Sequence, residues 1–334
     1  HGWVVDANGK TMHKSLGNGI DPLEITDKYG ADILRLWVAS SDYHADISLS
    51  NDILKQLSEV YRKIRNTARY ILGNLYDFHP DTDSVSDEQL HEIDRWALAR
   101  MSRIAADCAA AYDKYEFHLI YNAIRNFCTI DLSNFYLDII KDRLYVEKPD
   151  SVSRRAAQTA IYRILRDMTL VFAPILAFTC EEIWTNLPKS KDYNAEACVL
   201  NEMPKGNRCC ESAEFMAKWE KIRAIRDDVN KALENARNQK TIGKSLEAQL
   251  TLKADGELYC FLKENEEILE PVFIVSKVVL EQGAANANGE VEGLEVVVSK
   301  AQGEKCERCW VYSDTVGQDE KHPTLCKRCA AIIG

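Results

Sequence analysis

The segment SNDILKQLSEVYRKIRNTARYILGNL, residues 50–75, decides the fold class of this chain. Apolar side chains recur in it at steps of three and four, which places them on one face of a helix. They are Ile53, Leu57, Val60, Ile64, Ala68, Ile71 and Leu75. Ser50 is a suitable N-cap, and Asp52 suits the positive end of the helix dipole. The segment therefore predicts a long amphipathic helix that begins after Ser50.

The helical pattern continues on both sides of this segment. Glycine, which weakens helix interiors, is absent from Asn74 to Lys205, and this favours an all-helical bundle. Predicted helices span about 22–39, 92–114, 117–142, 151–172, 175–187 and 212–238. Pro22 suits a first helical turn, and Ser86 and Gln89 form a capping-box pattern. Pro174 should kink or divide the last pair of predicted helices.

The C-terminal third has a different pattern. We predict strands at Ala248–Leu252, Ile274–Glu281 and Leu294–Val298, a helix near 256–269, and a loop at Gly283–Gly289. The predicted fold class is mainly α: a helical bundle followed by a small α/β subdomain and a cysteine-bearing tail. We expect four domains, namely 1–48 with a polar loop, 49–200 as the bundle, 201–299 as a long helix with the α/β part, and 300–334 as the tail.

Composition and charge limit the function. A chain of 334 residues with 46% apolar residues can form two or three domains with real cores, and no apolar run approaches the length of a membrane span. The formal charge of −10 argues against nonspecific coating of nucleic acid but permits a local basic face. The eleven cysteines, without a signal-peptide pattern, favour a reducing cytoplasm. Because the chain starts with His1 instead of Met, we expect a piece of a longer protein.

Four cysteines near the C-terminus give the strongest signal for a site. Cys306-x2-Cys309 and Cys326-x2-Cys329 are separated by 16 residues, which is within the spacing typical of zinc sites. Two such knuckles can bring four thiolates together around one zinc ion, and the ion would stabilise a tail of about thirty residues that lacks a sizeable core. The alternatives are two redox pairs, disulfides, or His322 in place of one cysteine.

The remaining cysteines carry weaker signals. Apolar neighbours surround Cys108, Cys128, Cys180 and Cys260, so we predict that these four are small core residues. Cys209 and Cys210 are adjacent in a polar stretch, and we predict a loop pair without a role in chemistry.

A polar loop near the N-terminus has the composition of a phosphate-binding loop. It reads Lys10-Thr11-Met12-His13-Lys14-Ser15-Leu16-Gly17-Asn18 and follows the short apolar run Trp3-Val4-Val5. Ammonium groups, hydroxyls and backbone donors at such close spacing can surround a polyphosphate. On composition alone, a solvated turn between a strand and a helix is the simpler interpretation.

Three regions are candidates for RNA binding. The predicted helix of residues 50–75 carries five basic and two acidic side chains, and Arg62, Lys63, Arg65, Asn66 and Arg69 can hold phosphates or bases, with Tyr70 near enough to stack. An ordinary solvated helix face is the alternative. The second candidate is Arg125-Asn126-Phe127, where we expect Phe127 in the core and Arg125 on the surface. The third comprises Arg308, Trp310, Lys327 and Arg328, and Trp310 is either core filler or a stacking platform.

Several of these segments together resemble one enzyme family. Thr11-Met12-His13-Lys14-Ser15 resembles the Lys-Met-Ser-Lys-Ser loop of class I aminoacyl-tRNA synthetases, and it is followed by the usual Leu-Gly-Asn. Other segments are similar to isoleucyl-tRNA synthetases of bacterial type, so that the resemblance covers essentially the whole chain. These segments are Arg35–Tyr43, Tyr61–Thr67, Asp94–Leu98, Asn126–Cys128, Phe135–Tyr145, Ala173–Thr179 and Cys306–Trp310. Valyl and leucyl relatives share the bundle but differ after the loop.

The resemblance implies the C-terminal portion of such a synthetase, with the signature loop, the helical anticodon-binding domain and a zinc tail that contacts tRNA. In that family, isoleucine reacts with ATP, with magnesium, to form an adenylate and is then transferred to tRNA. Lys14 matches the second lysine of the loop and would stabilise the charge that develops on the phosphates. Met12 and Ser15 match the pattern, Thr11 and His13 depart from it, and Lys10 would stand in for the missing lysine.

The resemblance also sets the expected partners. They are tRNA of the isoleucine isoacceptors and the upstream catalytic and editing domains of the same chain, with no membrane and a monomeric state. The expected tRNA-binding residues are Arg62, Lys63, Arg65, Asn66, Arg69, Trp310 and Arg328. Because the His-Ile-Gly-His element and the nucleotide fold are absent from these residues, we expect no adenylation by this chain alone. A stand-alone RNA-binding module, a zinc-stabilised protein-interaction domain and a valyl-type synthetase are the alternatives.

Overall fold

Helices form most of the computed structural model, as the sequence predicts. The structure describes residues 2–204, 206 and 211–334, and of Lys14 the backbone alone. Cys209 and Cys210, the predicted loop pair, lie outside these residues.

The first half contains the strands β1 (Val4–Val5) and β2 (Ile47–Ser48) and the helices α1 (Pro22–Tyr29), α2 (Ala31–Ser40), α3 (Asn51–Gly73), α4 (Pro80–Asp83), α5 (Glu92–Asp113), α6 (Phe117–Asn126), a π-helix (Phe127–Tyr136), α7 (Leu137–Ile139), α8 (Lys141–Val146), α9 (Val152–Phe172) and α10 (Ala177–Asn186).

The second half is mixed. Its elements are α11 (Ala213–Asn238), β3 (Ala248–Ala254), α12 (Gly256–Glu264), α13 (Glu266–Phe273), β4 (Lys277–Gln282), β5 (Glu295–Lys300), β6 (Glu304–Lys305), β7 (Tyr312–Ser313) and α14 (Lys327–Ile333). Short 3₁₀ turns lie at Lys14–Leu16, Asp87–Gln89, Cys198–Leu200 and Ser245–Glu247. The described chain forms two compact units, one of His1–Asp138 with Pro149–Glu211 and the other of Ile139–Lys148 with Ser212–Gly334.

The first unit is the helical bundle. In it α5 packs against α6 and α9, and α3 packs against α9 and the π-helix. Trp96 of α5 and Trp184 of α10 are fully buried. The predicted N-cap of α3 is confirmed, because the Ser50 hydroxyl accepts a hydrogen bond from the backbone N–H of Ile53 at 3.3 Å. Of the kink or division predicted at Pro174, the structure has the division, since α9 ends at Phe172 and α10 begins at Ala177.

Two helix predictions in this unit are wrong in detail. The segment 22–39 is two helices, because Gly30 adopts a φ of 91° and its N–H donates to the carbonyl oxygen of Thr26, which ends α1. The segment 117–142 changes from an α-helix to a π-helix at Phe127. A π-helix bonds five residues apart, and the apolar spacing read for α-helices does not reveal this change.

The helix α2 binds both ends of the break between α9 and α10. The buried Asp32 accepts hydrogen bonds from the N–H of Thr179 at 2.8 Å and from its hydroxyl at 2.6 Å. Arg35 donates to the carbonyl oxygens of Pro174 and Ile175 at 2.6 and 2.9 Å. Helix ends leave backbone groups without intrahelical partners, and α2 satisfies these groups from outside the two helices.

The second unit contains a small sheet with the order β4-β3-β5. Its strands β3 and β4 are parallel, and β5 is antiparallel to β3. On β3, Ala248, Leu250, Leu252 and Ala254 alternate with half-buried residues, so one face of the sheet lies in the core. The helices α12 and α13 replace the single helix predicted near 256–269.

Four cysteines were predicted to be small core residues, and this prediction is confirmed for three of them and wrong for the fourth. Cys108, Cys128 and Cys180 are buried, and burial raises the pKa of Cys108 and Cys128 to about 12. Cys260 is exposed. It lies two residues from the fully buried Leu262 on α12, and residues two apart on a helix point to opposite sides.

Candidate metal centre and nucleic-acid interface

The four tail cysteines come together in space. Their sulfur atoms all lie within 4.8 Å of one another, all four residues are buried, and none is in a disulfide bond. The Sγ atoms of Cys309 and Cys326 are 3.8 Å apart. Four thiolates in a tetrahedron about 2.3 Å from a zinc ion would be separated by about 3.8 Å. The residues present therefore fit a closed four-thiolate zinc site, and His322 is not a member of this cluster of the described residues.

Two short structures build the site. The first knuckle is the turn between β6 and β7, where the N–H of Cys306 donates to the carbonyl oxygen of Val311 and the N–H of Trp310 donates to that of Cys306, both at 2.9 Å. In the second knuckle, Cys326 is the N-terminal flanking residue of α14 and Cys329 lies in its first turn. The N–H of Cys326 donates to the Cys306 sulfur at 3.3 Å, which joins the two knuckles.

The backbone prepares the sulfur of Cys306 for a cation. Burial opposes ionisation, but N–H donors of Cys309, Cys326 and Arg308 lower the pKa of Cys306 to about 6. Burial and the negative charge of Cys309 raise the pKa of Cys329. Four thiolates at this spacing repel one another, and a divalent cation removes that repulsion when it binds.

Trp310 is a platform on the surface beside this site. Its side chain is 56% exposed, so it is not core filler. Its φ is 66°, a left-handed conformation that is unusual for a residue with a side chain. The ammonium groups of Lys244 and Lys305 each lie 5.7 Å from the centre of a Trp310 ring. An exposed aromatic ring with cations on its flanks suits the stacking of an unpaired base whose phosphates bind the lysines.

The two lysines were missed from the sequence. Lys305 is adjacent to Cys306, and its position in the candidate basic tail was a usable signal. Lys244 lies 66 residues before Trp310, and no sequence pattern joins the two positions. Only the folding of the second unit brings Lys244 to the ring.

The tail arginines are engaged inside the second unit. Arg328, a predicted tRNA contact, forms a bidentate ion pair with Asp142, with both nitrogen–oxygen distances at 2.7 Å. Arg308 donates to the carbonyl oxygen of Val146 at 2.7 Å. The Asp142 carboxylate also raises the pKa of Arg328.

The predicted basic face of α3 is exposed to solvent. Arg62 pairs with Glu59 at 3.0 Å, and Arg65 pairs with Glu182 at 3.1 Å. Both pairs are well exposed, and such pairs contribute little free energy and can be exchanged for phosphates. Lys63 and Arg69 are exposed and form no ion pair with any residue that the structure describes. Phe127 is in the core and Arg125 is on the surface, as expected for the second candidate region.

The loop of residues 10–18 is held at its base by two polar side chains. Asp6 accepts from the N–H of Lys10 at 3.0 Å and from the Asn18 side-chain amide at 3.0 Å. Asn18 also accepts from the N–H of His13 at 3.0 Å. The hydrogen bond from Asn18 and that from Lys10 lower the pKa of Asp6. Thr11 and Met12 are half-buried, whereas Lys10, His13 and Ser15 are exposed.

Lys14 begins the 3₁₀ turn of the loop, and its side chain lies outside the described part of the chain. Sequence reasoning missed the role of Asp6. The turn-forming run Asp6-Ala7-Asn8-Gly9 is the signal that would have found it, since aspartate accepts backbone hydrogen bonds within such turns.

Within the described residues, every helix is too short or too polar to span a membrane.

Comparison with known proteins agrees with the geometry. Residues 94–252 match the family model "Anticodon-binding domain of tRNA ligase", residues 1–50 match "tRNA synthetases class I (I, L, M and V)", and residues 303–332 match "Zinc finger found in FPG and IleRS". The zinc-finger match and the four-cysteine cluster both support one structural zinc ion.

The similarity to individual proteins covers the whole chain. It is 51% identical to the isoleucine–tRNA ligase of Caldanaerobacter subterraneus subsp. tengcongensis and 52% identical to that of Carboxydothermus hydrogenoformans, with 100% of this chain and 36% of each relative aligned. The chain thus spans about a third of the length of these relatives. Among solved structures, the LeuRS of Agrobacterium radiobacter K84 in a ternary complex with tRNA and LeuAMS aligns with 84% of this chain and 32% of its own, at 14% identity and a TM-score of 0.45.

The predicted anticodon-binding bundle and the predicted zinc tail are therefore confirmed, and so is the resemblance to bacterial isoleucyl-tRNA synthetases. Over its whole length this chain is therefore a homologue of bacterial isoleucine–tRNA ligases, and its matches fit the C-terminal portion of these enzymes.

Proposed function

We propose that this chain is the tRNA-binding portion of an isoleucine–tRNA ligase that acts in the cytoplasm as a monomer. The complete enzyme would form isoleucyl-adenylate from isoleucine and ATP, with magnesium, and would transfer isoleucine to its tRNA. The observation that carries this proposal is about 50% identity over all 334 residues to enzymes of that name. The match to an anticodon-binding domain over residues 94–252 supports it.

The loop of residues 10–18 would belong to the ATP site of the complete enzyme. Lys14 is its proposed catalytic residue, because an ammonium group beside the phosphates stabilises the negative charge that develops in the transition state. Lys10, Thr11, Met12, His13 and Ser15 would complete the loop. The hydrogen bonds from Asn18 and Lys10 to Asp6 support a preorganised base for it.

Two surfaces of the chain would contact tRNA. One is the exposed face of α3, where Arg62, Lys63, Arg65, Asn66 and Arg69 would contact the phosphates. The other is the Trp310 platform, defined as Trp310 with Lys244 and Lys305. The first surface is supported by exposed cations whose ion pairs are weak or which have no ion-pair partner among the described residues. The second is supported by the exposed Trp310 ring with the ammonium groups of Lys244 and Lys305 close to it.

A binding measurement tests this proposal. The purified chain, loaded with zinc, is titrated with isoleucine and valine isoacceptors of tRNA by filter binding. We expect tighter binding of the isoleucine isoacceptor. Trp310→Ala should weaken binding by about tenfold, since stacking of one base contributes roughly 1–3 kcal/mol, whereas Trp310→Phe should retain most of the affinity. Unchanged affinity in Trp310→Ala would overturn the role of the platform.

A second measurement concerns catalysis. We expect the chain alone to show no ATP–pyrophosphate exchange with isoleucine above a heat-treated control. Exchange at a rate that depends on Lys14, tested with Lys14→Ala, would show that this portion holds a complete adenylation site and would contradict the proposal.

A further inference from the structure

The two zinc knuckles share a feature that the metal site does not require. Each carries an arginine directly before its second cysteine, in Cys306-Glu307-Arg308-Cys309 and in Cys326-Lys327-Arg328-Cys329. Thiolate coordination uses only the cysteine sulfurs. Both arginine side chains reach the same short segment, Ile139–Lys148, which is remote in sequence but belongs to the same compact unit.

Three contacts join this segment to the tail. Arg328 binds both carboxylate oxygens of Asp142 at 2.7 Å, and Arg308 binds the carbonyl oxygen of Val146 at 2.7 Å. The side chain of Val146 is 5% exposed and lies in one apolar cluster with the four cysteines, Leu325 and Ala330. Asp142 and Val146 are four residues apart on α8, so they lie on the same face of this helix.

The geometry of the Asp142–Arg328 pair is specific. A guanidinium fork matches a carboxylate with two parallel hydrogen bonds, and a lysine cannot reproduce them. Arg328 lies between Cys326 and Cys329, so the pair restrains the first turn of α14 and both sulfur ligands of the second knuckle. Arg308 restrains the first knuckle in the same way, next to Trp310.

We propose that Arg308 and Arg328 are positioning residues that fasten the zinc knuckles to the segment Ile139–Lys148, and that Asp142 thereby sets both the zinc affinity and the placement of the Trp310 platform. Arg328 is then a structural partner of Asp142 and does not contact tRNA directly. The part of this proposal that concerns tRNA rests on the proposed function. The part that concerns zinc does not.

The test measures zinc affinity in the purified chain of 334 residues by competition with a chromophoric chelator. Asp142→Asn should raise the zinc dissociation constant about tenfold, as expected for the loss of a charge-assisted, partly exposed pair. The exchanged pair, Asp142→Arg with Arg328→Asp, should recover most of the affinity. Glu290→Gln is the matched control, because it removes an exposed ion pair with Lys231 in the same unit, between two residues that are not part of the tail.

Positioning is measured at saturating zinc, so that metal loss does not contribute. In Asp142→Asn, amide hydrogen exchange at residues 306–311 and 326–330 should accelerate about tenfold, and tRNA affinity should fall by a similar factor. Arg328→Lys, which keeps the charge but not the fork, should behave like Asp142→Asn.

Two results would overturn the proposal: zinc affinity in Asp142→Asn equal to that of the Glu290→Gln control, or no recovery in the exchanged pair. The outcome for Trp310→Ala separates this proposal from the proposed function. Intact tRNA binding in Trp310→Ala can coincide with weaker zinc binding in Asp142→Asn that the exchanged pair restores. That combination would contradict the role of the Trp310 platform in tRNA binding and would support the positioning role of Arg308 and Arg328.

Discussion

Single carboxylate side chains fix the local geometry at two places in this protein. Asp6 closes the base of the loop of residues 10–18, and Asp142 restrains the second knuckle of the zinc site. In each case a carboxylate accepts more than one hydrogen bond from defined donors, and this fixes an orientation as well as a distance. We therefore expect that a substitution at Asp6 or Asp142 disturbs the local geometry even when it keeps the negative charge.

The cysteine ligands are the residues with the largest expected effect. Cys326→Ser should reduce the zinc content from one ion per chain to nearly none, because a serine hydroxyl does not replace a thiolate in a four-sulfur site. The tail should lose its fold as a consequence. Zinc content by atomic absorption and amide exchange of residues 303–332 measure the two effects.

Cys260→Ser is the matched control for this substitution. Cys260 is exposed on α12 and is not a member of the metal-binding cluster of the described residues. The zinc content of the Cys260→Ser variant should therefore equal that of the parent chain. Full zinc content in Cys326→Ser would contradict the four-thiolate site.

Among the elements, α2 has the most specific role in the bundle. Its buried Asp32 binds the N-terminal end of α10, and its Arg35 binds carbonyl oxygens that follow α9. A carboxylate at a helix N-terminus and a cation near a helix C-terminus also match the two signs of the helix dipole. One helix thus compensates for the interruption that Pro174 introduces between two others.

The substitution Asp32→Ala should destabilise the bundle by about 3 kcal/mol, because it removes the acceptor of the buried Thr179 N–H and one of the two hydrogen-bond partners of the Thr179 hydroxyl. Urea unfolding followed by circular dichroism measures this change. Asp27→Ala is the control, since Asp27 is exposed on α1 and its removal should change the unfolding free energy by less than about 0.5 kcal/mol. Equal effects of the two substitutions would show that Asp32 does not hold the helix ends.

The elements also show where sequence patterns are informative. The long helices α3, α5, α9 and α11 agree with their predicted bounds to within about two residues, because each presents a sustained apolar stripe. The pattern failed at Gly30 and at Phe127. There the backbone changes its hydrogen-bonding scheme within a continuous apolar pattern, and the side-chain periodicity does not report such a change.

At the scale of the whole molecule, the chain divides into two compact units, and among the residues that the structure describes the metal-binding cluster lies in the second unit. Removal of zinc should therefore lower the thermal stability of the second unit while leaving that of the first unchanged. We expect calorimetry with a chelator to shift one transition downward and to leave the other within about 1 °C, since a ligand stabilises only the structure that binds it. A parallel downward shift of both transitions would contradict this expectation.

The charge of the whole molecule places a further condition on nucleic-acid binding. The net charge of −10 repels RNA in general, so the proposed tRNA binding would depend on local cationic surfaces such as α3 and the Trp310 platform. Local cationic surfaces of this kind favour contact with a defined part of a folded RNA over coating of any strand.

The sequence by itself determined the mainly helical fold, the Ser50 cap of α3, the four cysteines of the metal-binding cluster and the resemblance to one enzyme family. These properties follow from local information: the repeat of apolar residues, capping side chains, the spacing of Cys-x2-Cys pairs, and short motifs. Tertiary structure alone decided which distant residues meet. It brought Lys244 to Trp310, Asp142 to Arg328 and Asp32 to Thr179, because contacts across 66, 186 and 147 positions depend on packing and not on any local pattern.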